Sequence, residues 1–439
     1  MPITETGITI SRNQTNYGLT SMQKSYNSAI KYLLISLGIG LAACSVDNQN
    51  LYEEGYLINN DEANLEIRLT DRDTEIVIIS EDSTAEKAKV NRSFSLNLIA
   101  DIDAPIVNGV QTQATMVHIF SNSARAAASY NVQGIEYTGA VDAIQITSSG
   151  REAIRVQSGI EFTNAKTNAV FINETNIWLA HSSEDPSLTE DAGFSAARMF
   201  GFTGFNINDN PRSTGLPGFA ANSIHQSDDR LYVTSGNNAG LTIFEKDLSG
   251  QIAYLEIPGA RWVDTDENRI VVLSADPESG NGTLTVLNKS DHSEIAKYTF
   301  EGADTPEAKS TAEIHGDLAL VAANRSGTHL IDLNTGDLVA NIPVPDAGSL
   351  GLNENVVETN AASADEEFIF ISNGEAGVYV AQASKNLNSY SSGDEFSVEL
   401  IGYLQFDDLK SANHVAFRNS TLFVAAGLGG VKAVQLSRR

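Results

Sequence analysis

Leu422–Leu436 reads LFVAAGLGGVKAVQL, an alternating apolar run, a Gly-rich turn and a second alternating run. That is the pattern of a β-hairpin with one buried face. The same pattern recurs upstream as LYVTSGNNAGLTIF from Leu231, LALVAANRSGTHLI from Leu318 and FIFISNGEAGVYVA from Phe368. In all four, a small residue is followed five positions later by glycine: Ser235 and Gly240, Ala322 and Gly327, Ser372 and Gly377, Ala425 and Gly430.

Looser copies extend the array. Ile270–Leu287 keeps both runs around a longer turn anchored by Ser274 and Gly282. Ile177–Phe200 carries an insertion between Ala180 and Gly193, and Ala126–Ile146 is anchored by Ser129 and Gly139. Seven hairpins spaced by roughly 40 to 55 residues, with about four strands per unit, predict a seven-bladed β-propeller. A period of two excludes a helical solenoid.

Residues 112–439 are thus read as the propeller, all-β and a single domain. In blades three to seven an inner strand precedes each hairpin, and an outer strand such as Ile252–Ile257, Glu294–Phe300 or Leu338–Val344 usually follows. The seventh unit ends at Arg439, directly after its third strand. An unpaired edge there would expose a row of donors and acceptors. Residues 65–111 form an N-terminal segment, and residues 93–101, or failing those 74–80, are expected to supply the missing outer strand.

The chain begins differently. Lys24 and Lys31 flank the start of YLLISLGIGLAA, a run short for a bilayer and closed by small residues, as in a secretory signal. It ends in Leu41-Ala42-Ala43-Cys44, with the only cysteine of the chain. This resembles a bacterial lipobox, which implies a signal peptide over 1–43, lipidation of Cys44 and a lipidated tether over 44–64. Met22 would give a signal of conventional length, so residues 1–21 read as a start-site artefact. Ser45, where inner-membrane lipoproteins often carry Asp, makes the resemblance point to the outer membrane, on its periplasmic or outer side.

The net charge is −28, and it becomes −30 once residues 1–43 are removed. Such a surface repels phosphate backbones, which argues against nucleic acid, and it offers no polybasic patch to anionic lipids. The expected partners are therefore the membrane, through lipid on Cys44, and an envelope protein or glycan.

The hairpins at Leu231, Phe368 and Leu422 resemble the LVIVD repeat of bacterial extracytoplasmic β-propellers. The resemblance spans roughly Thr112–Leu436 and implies a propeller and an exported location, with no activity or catalytic residue to carry over. No G-x-S-x-G elbow, H-E-x-x-H or G-K-[ST] is present. Asp264, Asp266 and Asn268 have the alternate spacing of a Ca²⁺ loop but lack its glycine and distal Glu, so a polar turn is the expected state. His118, His225, His315 and His414 fall in or beside inner strands and so face the channel, where a divalent cation is conceivable and separate hydrogen-bonded imidazoles are the expected state.

Function is expected on the face where the hairpin turns and the inter-blade loops emerge together. That face carries Asn237, Asn238, Arg325 and Glu375, the insertions 182–193 and 275–281, and the loops 205–220 and 345–361. The reading is a binding or assembly module, more a docking protein than an enzyme. Its alternative is a metal-assisted hydrolase or lyase acting on polysaccharide in the channel.

Overall fold

A computed structural model describes residues 55–80, 93–120, 124–147, 153–189, 194–236, 238–276, 278–306, 308–407 and 409–439. Seven antiparallel sheets follow one another around a ring, each entered by its innermost strand. Blade one is Gln113–Phe120, Arg125–Asn131, Gly139–Ile146 and Ile154–Phe162. Blade two is Ala165–Ile172, Asn176–Ser183 and Ser195–Thr203, with Arg212–Gly215 outside. Blades three to six start at Ser223, Ala260, Ala312 and Ala361, and in each the repeated hairpin forms the middle pair of strands. Blade seven is His414–Arg418, Thr421–Ala425 and Val431–Arg438.

The ring closes as the missing strand requires. Phe94–Ile102 pairs antiparallel with Val431–Arg438, from Ile102 opposite Val431 to Phe94 opposite Arg438. Every second residue at its ends is buried, including Phe94, Leu96, Ala100 and Ile102. Phe94 packs edge-on against Phe368 of blade six at 4.8 Å, so the borrowed strand is held by apolar contact as well as by the ladder. Leu69–Glu75 adds a fifth strand outside it, and Ile78–Ile79 pairs with the outer strand of blade six.

The end of the stretch 44–64, read as a tether, carries regular structure. Tyr56–Asn59 is a strand on the outer edge of blade one, and Glu62–Glu66 is a short helix capped by Asp61. Tyr56 is buried against Phe200 and Phe162, which explains why so polar a stretch is ordered. Arg68 then clips the segment to blade one. It bonds both oxygens of the buried Asp142 at 2.6 and 3.0 Å, and Tyr130 donates to the same carboxylate at 2.7 Å. Among the described residues no helix is long and apolar enough to cross a membrane.

The repeat glycine has a steric cause. A Cβ on Gly240, Gly327 or Gly430 would stand 2.0, 2.2 or 2.0 Å from the carbonyl oxygen of Leu255, Ile342 or Ile102, where the outer strand passes the hairpin turn. Gly327 and Gly430 also sit at φ of +86° and +69°, which disfavours any other residue. Gly430 is therefore the contact point between the last hairpin and the strand borrowed from the front of the chain. Replacing Gly430 with Ala is expected to cost about 1–3 kcal/mol in urea unfolding. Gly250→Ala, at a position with open space and ordinary φ, should stay within about 0.5 kcal/mol. Equal effects would contradict this account.

Candidate functional site

Each innermost strand has one edge turned to the channel, with amides that no neighbouring strand pairs. In blades two, four, five, six and seven a side chain of the preceding blade supplies an acceptor. Ile172 N donates to His118 Nδ1 (3.3 Å), Val263 N to Ser223 Oγ (3.0 Å) and Ile314 N to Asp264 Oδ2 (2.8 Å). Ala362 N donates to Thr311 Oγ1, Ala364 N to Glu313 Oε2 (both 3.2 Å) and Phe417 N to Ser363 Oγ (3.0 Å). The channel's polar side chains thus act as stitches between blades, satisfying donors that would otherwise be costly to bury.

His118, His225, His315 and His414 all lie on innermost strands. His225 pairs with Asp264 at 3.3 Å and contacts Thr265 Oγ1 at 3.3 Å, while His315 meets Glu313 at 3.2 Å. Arg418 reaches the same Glu313 oxygen at 3.2 Å and also donates to the Ala364 and Phe417 carbonyls. Burial pushes the Glu313 carboxyl up, but Arg418 and His315 outweigh it and hold it at about 2. Burial, reinforced by cationic neighbours, pulls His118 and His414 down to about 3. His414 stacks on Trp262 at 5.6 Å, and neither of its ring nitrogens has a hydrogen-bond partner among the described residues.

Among the described residues no group of three or more His, Cys, Asp or Glu is placed to hold a metal ion. Asp266 forms the polar turn between the first two strands of blade four. It accepts from the amides of Asn268 (2.8 Å) and Arg269 (2.7 Å) and pairs with the Arg269 guanidinium. Asp264 points instead into the channel stitching.

Three of the four residues expected on the loop face are described. Asn238 and Glu375 are exposed, and Arg325 reaches across to Glu358 (3.3 Å) and Asn355 (3.0 Å) of the next inter-blade loop. Asn237 and Cys44 lie outside the described residues, as does part of the insertion 182–193. What sequence reading missed on this face is aromatic. Tyr137 stacks on Phe194 at 5.6 Å, and Phe194 meets Phe219 edge-on at 5.2 Å. Phe219 is 63% exposed and the neighbouring turn offers Ile135 at 93%. These residues come from three separate loops, so no run in the sequence displays them. Also missed was a polar cavity at the channel mouth on this face, walled in part by Arg261, Trp262 and Lys309.

No family model matches the chain, and no curated protein matches it. Among solved structures it is similar to U3-55K, with TM-score 0.52 and 10% identity over 76% of this chain and 98% of that one. The WD40 β-propeller domain of Doa1 follows with TM-score 0.48 and 11% identity, covering 78% and 97%. At such identity the likeness to U3-55K bears on the fold alone.

The buried imidazoles make stability depend on pH. His118, His181 and His414 have folded pKa values near 3, against 6.5 ordinarily. The unfolded chain therefore takes up protons below about pH 6.5 that the folded one refuses, so this stability is complete above that pH and is lost as pH falls. Glu313 acts in the same direction, from about pH 4.5 to about 2. Urea unfolding of His414→Gln, compared with wild type from about pH 7 down to about pH 5, should show a slope smaller by at most about 1.4 kcal/mol per pH unit. Identical slopes would show that His414 titrates normally.

Proposed function

We propose that the protein is a lipid-anchored envelope module that binds or assembles partners through the loop face of its propeller. The observation that carries this reading is the aromatic ridge of Tyr137, Phe194 and Phe219 beside Ile135, an exposed apolar surface on rigid blades. Exposed apolar clusters of this kind mark interaction sites, and aromatic side chains are enriched where partners dock. Leu428 and Ile106 add exposed apolar side chains to the same face.

The lipobox resemblance at Cys44 and the LVIVD-like hairpins support an exported, membrane-tethered protein, with the outer membrane as its address. Gly55, the first described residue, accepts from Thr163 where blade one passes to blade two, level with the loop face. Anchoring through lipid on Cys44 would favour a partner held at the membrane, an envelope protein first and a glycan second. The acidic surface disfavours nucleic acid. The channel carboxylates Asp264 and Glu313 are engaged by neighbouring blades, which supports binding over a polysaccharide hydrolase or lyase centred in the channel.

Two measurements test this. Cys44→Ser should move the protein from the membrane fraction to the soluble one; retention of the variant in the membrane would contradict the anchor. A photo-crosslinking residue at Phe219 should give a discrete adduct in the native envelope, whereas one at Ile295, exposed on an outer strand, should give none. Adducts from Ile295 alone would move the binding surface to the rim of the ring.

A further inference from the structure

At the channel mouth on the loop face the blades enclose a cavity of about 230 Å³. That is below the roughly 300–1,000 Å³ of pockets for drug-sized molecules, and it suits a ligand of a single ring. Its wall includes Asn131, Asn168, Arg261, Trp262 and Lys309.

The charge here opposes that of the whole molecule. Within a chain of net charge −28, Lys309 and Arg261 line one small cavity. Lys309 Nζ spends one donor, on the Asn168 carbonyl at 2.6 Å, and among the described residues no carboxylate pairs with it. Arg261 spends one nitrogen, Nη1, on the Ala308 carbonyl at 3.1 Å and Ser310 Oγ at 3.4 Å. Asp304 and Glu358 lie near enough for Arg261 to feel their charge. Three ammonium and five guanidinium protons are available to such a pair, so most of their donor capacity remains unspent.

Two further features define what would fit beside a negative group. Asn131 Oδ1 is buried and, among the described residues, has no hydrogen-bond partner, while its Nδ2 is committed to Asn168 at 3.2 Å. A rotation of the Asn131 side chain would turn that oxygen to a donor in the cavity, such as a hydroxyl. Trp262 contributes an indole to the wall, a surface for the apolar face of a ring. Cations for a carboxylate, an orphan acceptor for a hydroxyl and an aromatic plane for carbon–hydrogen edges together describe one ligand class.

We infer that the channel mouth binds a sugar acid of monosaccharide size, its carboxylate held by Lys309 and Arg261 and a ring hydroxyl donated to Asn131 Oδ1. The inference deepens the binding reading of the loop face, since it names a ligand for that face; it does not involve the aromatic ridge. Burial lowers the Lys309 ammonium to about 8, in keeping with a cation that awaits a counter-charge.

The chain has two tryptophans, and Trp178 is fully buried with its indole N–H bonded to the Lys246 carbonyl. A ligand-induced change in intrinsic tryptophan fluorescence therefore reports on Trp262, the one in the cavity wall. Titration of the full chain with D-glucuronate should change it saturably, with a Kd of about 1 mM or tighter. D-glucose should bind at least about tenfold more weakly, as should D-glucuronate to Lys309→Met or Arg261→Met, since each change removes a charge-assisted hydrogen bond. The glucuronate Kd should also rise from about pH 7 to about pH 9 as Lys309 deprotonates. If one variant fails to fold, as judged by circular dichroism, the other variant and the pH series decide.

No saturable change with glucuronate overturns the site. Equal binding of glucose removes the role of the cations, and inorganic phosphate binding as tightly as glucuronate reduces the site to a general anion pocket; either result overturns the sugar-acid assignment. Each of these failures leaves the ridge-based reading standing, because the crosslinking at Phe219 addresses a different part of the face.

Discussion

A β-sheet that ends in a free edge leaves amides and carbonyls without partners, and in a ring of blades every edge must be dealt with. Two devices do so here. At the outer end of the last blade, Phe94–Ile102 completes the ladder of Val431–Arg438. At the channel, among the described residues, side chains at five of the seven junctions accept from inner-strand amides of the next blade, as Asp264 does from Ile314 and Ser363 from Phe417. Backbone bonds add a third link between blades, for example Gly374 N to the Ala412 carbonyl at 3.2 Å and Ala114 N to the Gly427 carbonyl at 2.8 Å. The last of these joins blade seven to blade one, where the ring must meet itself.

These constraints decide which polar groups are left for function. Glu313 is engaged by Arg418, His315 and the Ala364 amide, and Asp264 by His225 and the Ile314 amide, so both carboxylates are occupied by the architecture of the ring. Lys309 and Arg261, at the mouth, bond mainly to backbone carbonyls and keep donors in hand. That division leaves a polar mouth and, on the loops from blade one to the start of blade three, an aromatic ridge.

Much of the ring could be read from the chain because its signals are local. A period of two marks each hairpin, and the glycine five residues after a small residue marks where an outer strand crosses the turn, as Gly430 and Ile102 show. Closure was legible too, because the seventh unit lacks a strand and Phe94–Ile102 alternates. Tyr56–Asn59 was not, since four residues give little pattern and its order comes from packing on Phe162 and Phe200. The ridge and the mouth were hidden for a related reason. Tyr137, Phe194 and Phe219 are scattered single residues, as are Asn131, Arg261 and Lys309, and only the curvature of the ring brings them together. The four histidines were placed on inner strands by pattern, but whether each bonds an amide, a carboxylate or nothing depends on the neighbouring blade.

Closure by the N-terminal strand is the claim on which the rest depends, and a crosslink across it is the direct measurement. Ser95 and Ser437 face each other in the register of the closing pair. In a Cys44→Ser background, Ser95→Cys with Ser437→Cys should form an intramolecular disulfide without added denaturant and raise the melting temperature, because it ties the front of the chain to its end. Free thiols in the folded protein, or only intermolecular disulfides, would contradict the closed ring.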